Sequence, residues 1–482
     1  MGESGMVKKW NIRWEAVFLA SVFVFYTAWA VIQPFNVAPD EQMRYQIVQY
    51  ICEHGKLPHG GDPELRNEFW GISYGFNPVT TYILGAVFSR ITAVFTQDET
   101  ALLLAARMVN VLLGTGFAFF AMRLGGMLLR REAAVFFAAF ACFLPGTAFL
   151  FSYINMDGLA LFSSAWILYC WARTLKEGWT GKLCVQLAAA TSVCALSYYN
   201  AYGYLLCSAL FFSGSILLGQ KKRWDFRQFF GKGFLILFLV ALFAGWWFIR
   251  NAVLYDGDFL GMSTSTKYAE MYAVEGLKPS NRTTPERLGM SVKDMMLWVP
   301  GKWRHNWLMT VAVSFVGTFG RLDLFMPELW SKLYLLVLGV GFLGTALRVR
   351  RQFFVSRFLK IVERKKHPDG TTILVTVEKS RIWNKENLMR GMMLLAVVIP
   401  FLLLVYYAYC SDFQAQGRYL MPALLPVMYF VTLGYENWME RAVKKEEIRE
   451  KIRRYFFSVG TAMAVLSGIL VYLTVVLPAY TG

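Results

Sequence analysis

A chain of 482 residues that is 56% hydrophobic and only 17% charged carries repeated, nearly uncharged stretches of about 18 or more residues, the length that crosses a bilayer core. That excludes a water-soluble enzyme and reads as an all-α polytopic membrane protein, a single transmembrane domain over residues 1–482. The net charge of +17 would suit nucleic acid, but the basic residues sit in short clusters between apolar segments, so they mark topology and not a polyanion-binding face.

The first span covers residues 14–32 and follows Lys8, Lys9 and Arg13, which places the N-terminus in the cytoplasm. No small-residue cleavage site follows it, so it is expected to be a retained helix. Residues 33–45, QPFNVAPDEQMRY, then leave the membrane on the outer side. Pro34 and Pro39 stop the helix, since proline lacks an amide donor and restricts its neighbour. The adjacent carboxylates Asp40 and Glu41 are therefore expected on a loop.

Residues 77–95 are long enough to span. Were they to cross, Arg123/Arg130/Arg131, Lys221/Lys222/Arg223 and Arg348/Arg350/Arg351 would all lie outside. The positive-inside rule instead assigns this segment to a juxtamembrane helix within a first outer loop, residues 33–100. About eleven spans result, over residues 14–32, 101–122, 132–151, 157–175, 183–198, 201–219, 232–250, 331–348, 389–409, 419–436 and 456–477, each a length that fits the bilayer. A second outer loop, residues 251–330, is too long to be structureless and is expected to hold short interfacial helices over 292–299 and 303–316. A cytoplasmic insertion, residues 349–388, reads as a small β-hairpin of two short strands around an HPDG turn at residues 367–370, because Asp-Gly favours hairpins. No internal repeat is visible.

The seven cysteines are odd in number and lack CxxC spacing, which argues against a disulfide framework or a zinc site. Cys52 and Cys410 share the outer side, where unpaired thiols are the simpler reading. His54 and His59 read as surface histidines. Gly114, Gly116, Gly125 and Gly126 read as places of close helix contact, with no Walker-type lysine after them. Trp70 and Tyr74 belong chiefly to the aromatic belt, with sugar stacking the lesser reading.

Ionisable groups gather at the outer ends of spans: Asp40, Glu41, Asp157, Arg250, Asp256, Asp258, Arg321, Asp323 and Arg418. Singly, each is an interfacial anchor. Together they suit transfer of a group from a lipid-linked phosphate to a hydroxyl. A carboxylate takes the acceptor's proton, and arginine steadies charge on the leaving phosphate.

The ordered motifs APDE, NPVTTY, NMDG, WFIRN with YDGD, SFVGTFGRLD and QGRYLMPALLP resemble the GT-C superfamily of membrane glycosyltransferases, and within it a bacterial branch of predicted membrane proteins. The resemblance covers nearly the whole chain. It implies transfer of a sugar from a polyprenyl-phosphate donor to a glycan, lipid or protein acceptor on the extracytoplasmic side of the plasma membrane, with inversion. Asp40 would be the base and Glu41 its support, or with Asp157 a ligand for magnesium or manganese. Arg418, with Tyr419 beside it, would hold donor phosphate, as would Arg250 and Arg321, and Asp157 would meet metal or acceptor. No DxD pair accompanies Asp157, and arginines would then suffice for a donor with one phosphate. Two other readings are a lipid-linked glycan transporter, which would place charges at the bilayer midplane and show repeated halves, and a non-catalytic scaffold for envelope assembly.

Overall fold

The computed structural model describes residues 12–217, 225–301, 303–354, 357–366, 372–382 and 385–481. Each of the eleven segments read as spans is helical. They fall in α1 (Ile12–Ile32), α4 (Glu99–Leu128), α5 and α6 (Arg131–Phe143, Pro145–Leu150), α7 (Asp157–Glu177), α8 (Gly181–Ala195), α9 (Gly203–Leu217), α10 (Phe226–Leu254), α14 (Glu328–Ala346), α15 (Lys385–Cys410), α16 (Leu424–Ala442) and α17 (Glu446–Val471). Among the described residues, seven helices are long and apolar enough to cross a membrane. The 21 residues of α1 alone reach about 31 Å at 1.5 Å per residue.

The segment at 132–151 is one span by hydropathy but two helices in space. Pro145 opens α6, and Leu144 before it is extended at φ −58°, ψ 125°, the conformation a following proline imposes. Among the described residues, helices also lie between the spans, beginning with α2 (Glu41–His54), α3 (Thr80–Ala93) and α11 (Met262–Tyr272). The segment 77–95, expected to be a juxtamembrane helix, holds α3, which is shorter than expected. Beyond it, α12 (Val292–Leu297) and α13 (Trp307–Gly317) occupy the two places expected for interfacial helices. A short hairpin, β1 (Thr318–Phe319) with β2 (Leu324–Phe325), follows them. In the 349–388 insertion, β3 (Arg357–Lys366) pairs antiparallel with β4 (Thr372–Ile382), so its strands are long where short ones were expected. The HPDG turn lies outside the described residues.

One continuous core joins α1, α4, α5, α7, α8, α9, α15, α16 and α17. Small residues set the approach. A Cβ on Gly434 would fall 1.7 Å from the Gly341 carbonyl oxygen, so α14 and α16 pack backbone to backbone. Charge separates the two ends of the bundle. At one, Arg123 binds Glu15 at 2.8 Å, Arg348 binds Glu440, and Arg453 lies among Glu132, Glu436 and Glu450. At the other lie Asp40, Glu41, Arg107, Asp157 and Arg418.

Candidate active site

The acid pair opens α2 instead of lying on a free loop, and its members part company. Asp40 occupies the cap position with φ 58° and makes no capping bond. Its carboxylate accepts from the Tyr74 hydroxyl at 2.8 Å, with Arg418 Nη2 at 3.5 Å and Arg44 Nη2 at 3.8 Å. Arg44 stands one helical turn on, so it shares the face of Asp40.

Glu41 points the other way and is fully buried. Arg107 holds it from two sides, Nε to Oε1 at 2.8 Å and Nη2 to Oε2 at 2.7 Å. The same guanidinium donates to the carbonyls of Ala30, Gln33 and Pro34. The amides of Asn36 and Ile154 also donate to Glu41. With every lone pair engaged, Glu41 braces the end of α1 against α4, and the geometry does not present it to a substrate or metal beside Asp40.

Arg418 arrives from the far end of the chain. It lies on a 3-10 segment, Gly417–Ala423, whose first residue must be glycine, since a Cβ on Gly417 would sit 2.2 Å from the Phe315 amide nitrogen. From there Arg418 spans both acids, with Nη1 3.9 Å from Asp157 Oδ2. Asp157 opens α7 and takes a bond from Asn200 at 3.2 Å. Tyr419 accepts from Arg418 Nη2 at 3.2 Å. Thus Asp40, Asp157, Arg418 and Tyr419 come together.

Arg250 does not join them. It donates to the Pro58 carbonyl at 2.6 Å and lies over the Trp247 ring, tying the first loop down. Asp258 is likewise occupied, accepting from the Thr264 amide and hydroxyl. Arg321 bonds the Asn36 carbonyl at 3.1 Å and lines a surface cleft with Asp40. His54 is exposed and paired with Glu64 beside Glu53. His59 is not a free surface group. It packs against Tyr255 and Tyr268. All seven cysteines are unpaired.

Burial works to raise the pKa of Asp40, but the fields of Arg44 and Arg418 and the Tyr74 hydroxyl outweigh it and leave the carboxyl below its usual value. The group is therefore ionised at neutral pH. Burial raises Tyr74 well above an ordinary phenol despite Arg44, so Tyr74 stays a donor. Burial also raises Asp412, against the field of Arg282.

The interior behind Asp40 holds polar atoms without hydrogen-bond partners: Nε and Nη1 of Arg44, Nε and Nη1 of Arg418, the hydroxyls of Tyr82 and Tyr153, Asp157 Oδ2 and Asn200 Oδ1. Arg44 is only 1% exposed. Each such buried atom costs about 1–3 kcal/mol until something satisfies it. Donors outnumber acceptors here, so the chamber suits an anion with several oxygens. It fits a divalent cation poorly. Asp40 and Asp157 already face guanidinium groups, and Glu41 is spent on Arg107.

Outside Asp40 lies a cleft of about 640 Å³ between both loops and the β1–β2 turn. Arg44, Arg107 and Asn200 went unread as site residues in the sequence, and Tyr74 was read there only as a lesser candidate for sugar stacking, not as a hydrogen-bond donor to Asp40. Of the first three, only Arg44 left a signal, its spacing of four from Asp40.

The family model described as "Predicted membrane protein (DUF2142)" matches residues 65–427. The chain belongs to the DUF2142 family. Its fold is that of GT-C glycosyltransferases of known structure. The apo oligosaccharyltransferase of Archaeoglobus fulgidus superposes with a TM-score of 0.52 at 14% identity over 96% of this chain. The DUF2142 chain spans 55% of that enzyme's length. The same archaeal enzyme, AglB, in complex with an inhibitory peptide and a dolichol-phosphate gives a TM-score of 0.52 at 10% identity, over 94% of this chain and 56% of that one. ArnT from Cupriavidus metallidurans bound to undecaprenyl phosphate gives 0.51 at 12% identity, over 98% of this chain and 74% of that one. No curated protein matches the sequence. The DUF2142 chain is thus a multi-pass membrane protein with the fold of these transferases.

Proposed function

We propose that this protein is a membrane glycosyltransferase that moves a sugar from a polyprenyl-phosphate donor to an acceptor hydroxyl on the extracytoplasmic side, with inversion. The observation that carries the reading is the convergence of Asp40, Asp157 and Arg418, from three distant stretches of chain, beside a chamber of unpartnered guanidinium donors. Binding of lipid-linked phosphates by AglB and ArnT supports a donor of that class.

In the proposed step the ionised Asp40 takes the proton of the acceptor O–H. The freed oxygen bonds to the anomeric carbon as its bond to the phosphate oxygen breaks, and the electron pair leaves with the polyprenyl phosphate. Arg418 and Arg44, both largely buried, hold that developing charge with fixed donors, which act strongly away from water. A single displacement inverts the anomeric centre. Asp157, tied to Asn200, orients Arg418. The step as drawn uses no metal, the guanidinium groups supplying the positive charge.

A transporter reading would need ionisable groups near the bilayer midplane, and this cluster lies at one end of the helices. Reconstituted protein given a polyprenyl-phosphate sugar and a panel of acceptors tests the proposal. Asp40→Asn should lower transfer by at least about a hundredfold while the protein stays folded. Unchanged turnover would remove the proposed base.

A further inference from the structure

The surface cleft carries a signal that the chamber does not. Among the described residues only four that are not glycine adopt positive φ: Asn36 (61°), Asp40 (58°), Asp256 (50°) and Leu322 (68°). Three of them, Asn36, Asp40 and Leu322, line this one cleft. For a leucine that conformation is a true outlier. Such backbone persists only where the surroundings impose it, and it gathers at ligand sites.

The strain has a visible product. Gly320 and Leu322 both turn left-handed between β1 and β2, with Asp323 Oδ1 folded back so close to Gly320 that a Cβ there would be 2.0 Å away. That leaves Arg321 exposed at the cleft with no carboxylate within ion-pair distance among the described residues, bonded only to the Asn36 carbonyl. The rest of the wall mixes carboxamides and aromatic rings with Pro39, Met43, Leu277 and Leu322. Asn36, Gln42, Asn67 and Gln416 line it with Trp70 and Phe69, and Asp40 is its one acid. Asn67 uses its oxygen to receive the amides of Phe69 and Trp70, which fixes the aromatic pair and frees the Asn67 amide nitrogen. Gln416 Oε1 is buried without a partner.

From this wall we infer that the cleft is the acceptor site and that it takes a carbohydrate bearing an acidic group. Asn36 and Gln42 bond to each other, which leaves the Asn67 and Gln42 amide nitrogens as donors and Gln416 Oε1 as an acceptor, the pairing that sugar hydroxyls require. Aromatic rings match the apolar faces of pyranoses. Arg321 offers a planar fork to a carboxylate or phosphate. This rests on the proposed transferase activity, which it deepens by naming the acceptor class.

Saturation-transfer NMR on the full chain in nanodiscs tests it with three probes at millimolar concentration: a hexuronate-containing disaccharide, its neutral hexose counterpart and an asparagine-containing tripeptide. Both sugars should receive saturation, the acidic one binding about tenfold tighter, the worth of one charge-assisted bond. Arg321→Met should bring that ratio to about one, and Trp70→Ala should weaken both sugars. Arg321 is exposed, so its variant tests the assignment even if Trp70→Ala fails to fold. Saturation of the tripeptide alone, or sugar binding untouched by Arg321→Met, would overturn the assignment. The two ideas separate cleanly. Asp40-dependent transfer onto peptide without sugar binding would sink this inference alone, whereas sugar binding with normal turnover by Asp40→Asn would sink the proposed base alone.

Discussion

Removing Arg107 should damage the fold far more than removing the residue proposed for chemistry. The guanidinium is 3% exposed and its partner Glu41 is 0% exposed. Arg107→Met deletes five hydrogen bonds, two to Glu41 and three to the carbonyls of Ala30, Gln33 and Pro34. It strands a buried carboxylate with only the amides of Asn36 and Ile154 at 3.2 and 3.3 Å. Breaking a buried pair in this way costs about 3–5 kcal/mol. Glu41→Gln should cost less, about 2–3 kcal/mol, because the amide NH2 loses one charge-assisted bond to Arg107 and one backbone amide donor, while Arg107 keeps its three carbonyl acceptors. The double variant Glu41→Leu/Arg107→Met should recover part of the loss, since an apolar pair carries no desolvation penalty. Reversible SDS unfolding in bicelles reads all three. The structural role of the pair would be refuted if Arg107→Met unfolded within about 0.5 kcal/mol of the parent, well under that range. It would also be refuted if Glu41→Gln lost transfer while keeping full stability.

Asp40→Asn should lower kcat by roughly 10²–10⁴-fold, the range of a general base, with little change in the SDS midpoint. Transfer should survive exhaustive chelation with EDTA, and millimolar Mn²⁺ should give no bound-ion EPR signal in the chamber; a loss of activity restored by a divalent ion would contradict the arginine-only site. Arg44→Met should weaken binding of undecaprenyl phosphate by about tenfold or more, as loss of one charge-assisted bond does, measured by thermal stabilisation against added lipid.

Much of the helical framework was legible because hydropathy depends on composition alone, and every segment expected to span is helical. What escaped was local stereochemistry. Nothing in a hydropathy reading says that Pro145 splits one span in two, or that the 41–54 segment forms a helix off the first span. The Asp40–Glu41 pair shows the limit most clearly. Adjacent carboxylates look equivalent in sequence, yet a left-handed residue at Asp40 sends one into the pocket and the other to Arg107, a partner 66 positions away. Arg418 was legible as a candidate through its motif, whereas the glycine before it mattered only once the Phe315 backbone was seen to lie within reach. Arg44 stayed hidden because a lone arginine on an outer loop looks like an anchor.

The low pKa of Asp40 raises a difficulty for its proposed role, and the same arginines resolve it. A carboxylate held below its usual range is always ionised but is a weak proton acceptor. Its weakness comes from Arg44 and Arg418, which overcome the upward push of burial. A donor phosphate seated on those guanidinium groups would cancel their field at Asp40, and like charge would then add to burial in raising its pKa. Basicity would thus appear only when donor is bound. The pH dependence carries the consequence. Protonation of Asp40 in the free enzyme sets the acid limb of kcat/KM, which should fall below the ordinary carboxylate range, while kcat reports the bound complex and should lose activity at distinctly higher pH. Arg418→Met should move the kcat/KM limb upward toward the kcat limb, because one lowering field is gone. Coincident limbs in the parent protein, or an unmoved limb in the variant, would mean that the arginines and Asp40 do not share one field and that the proton goes elsewhere.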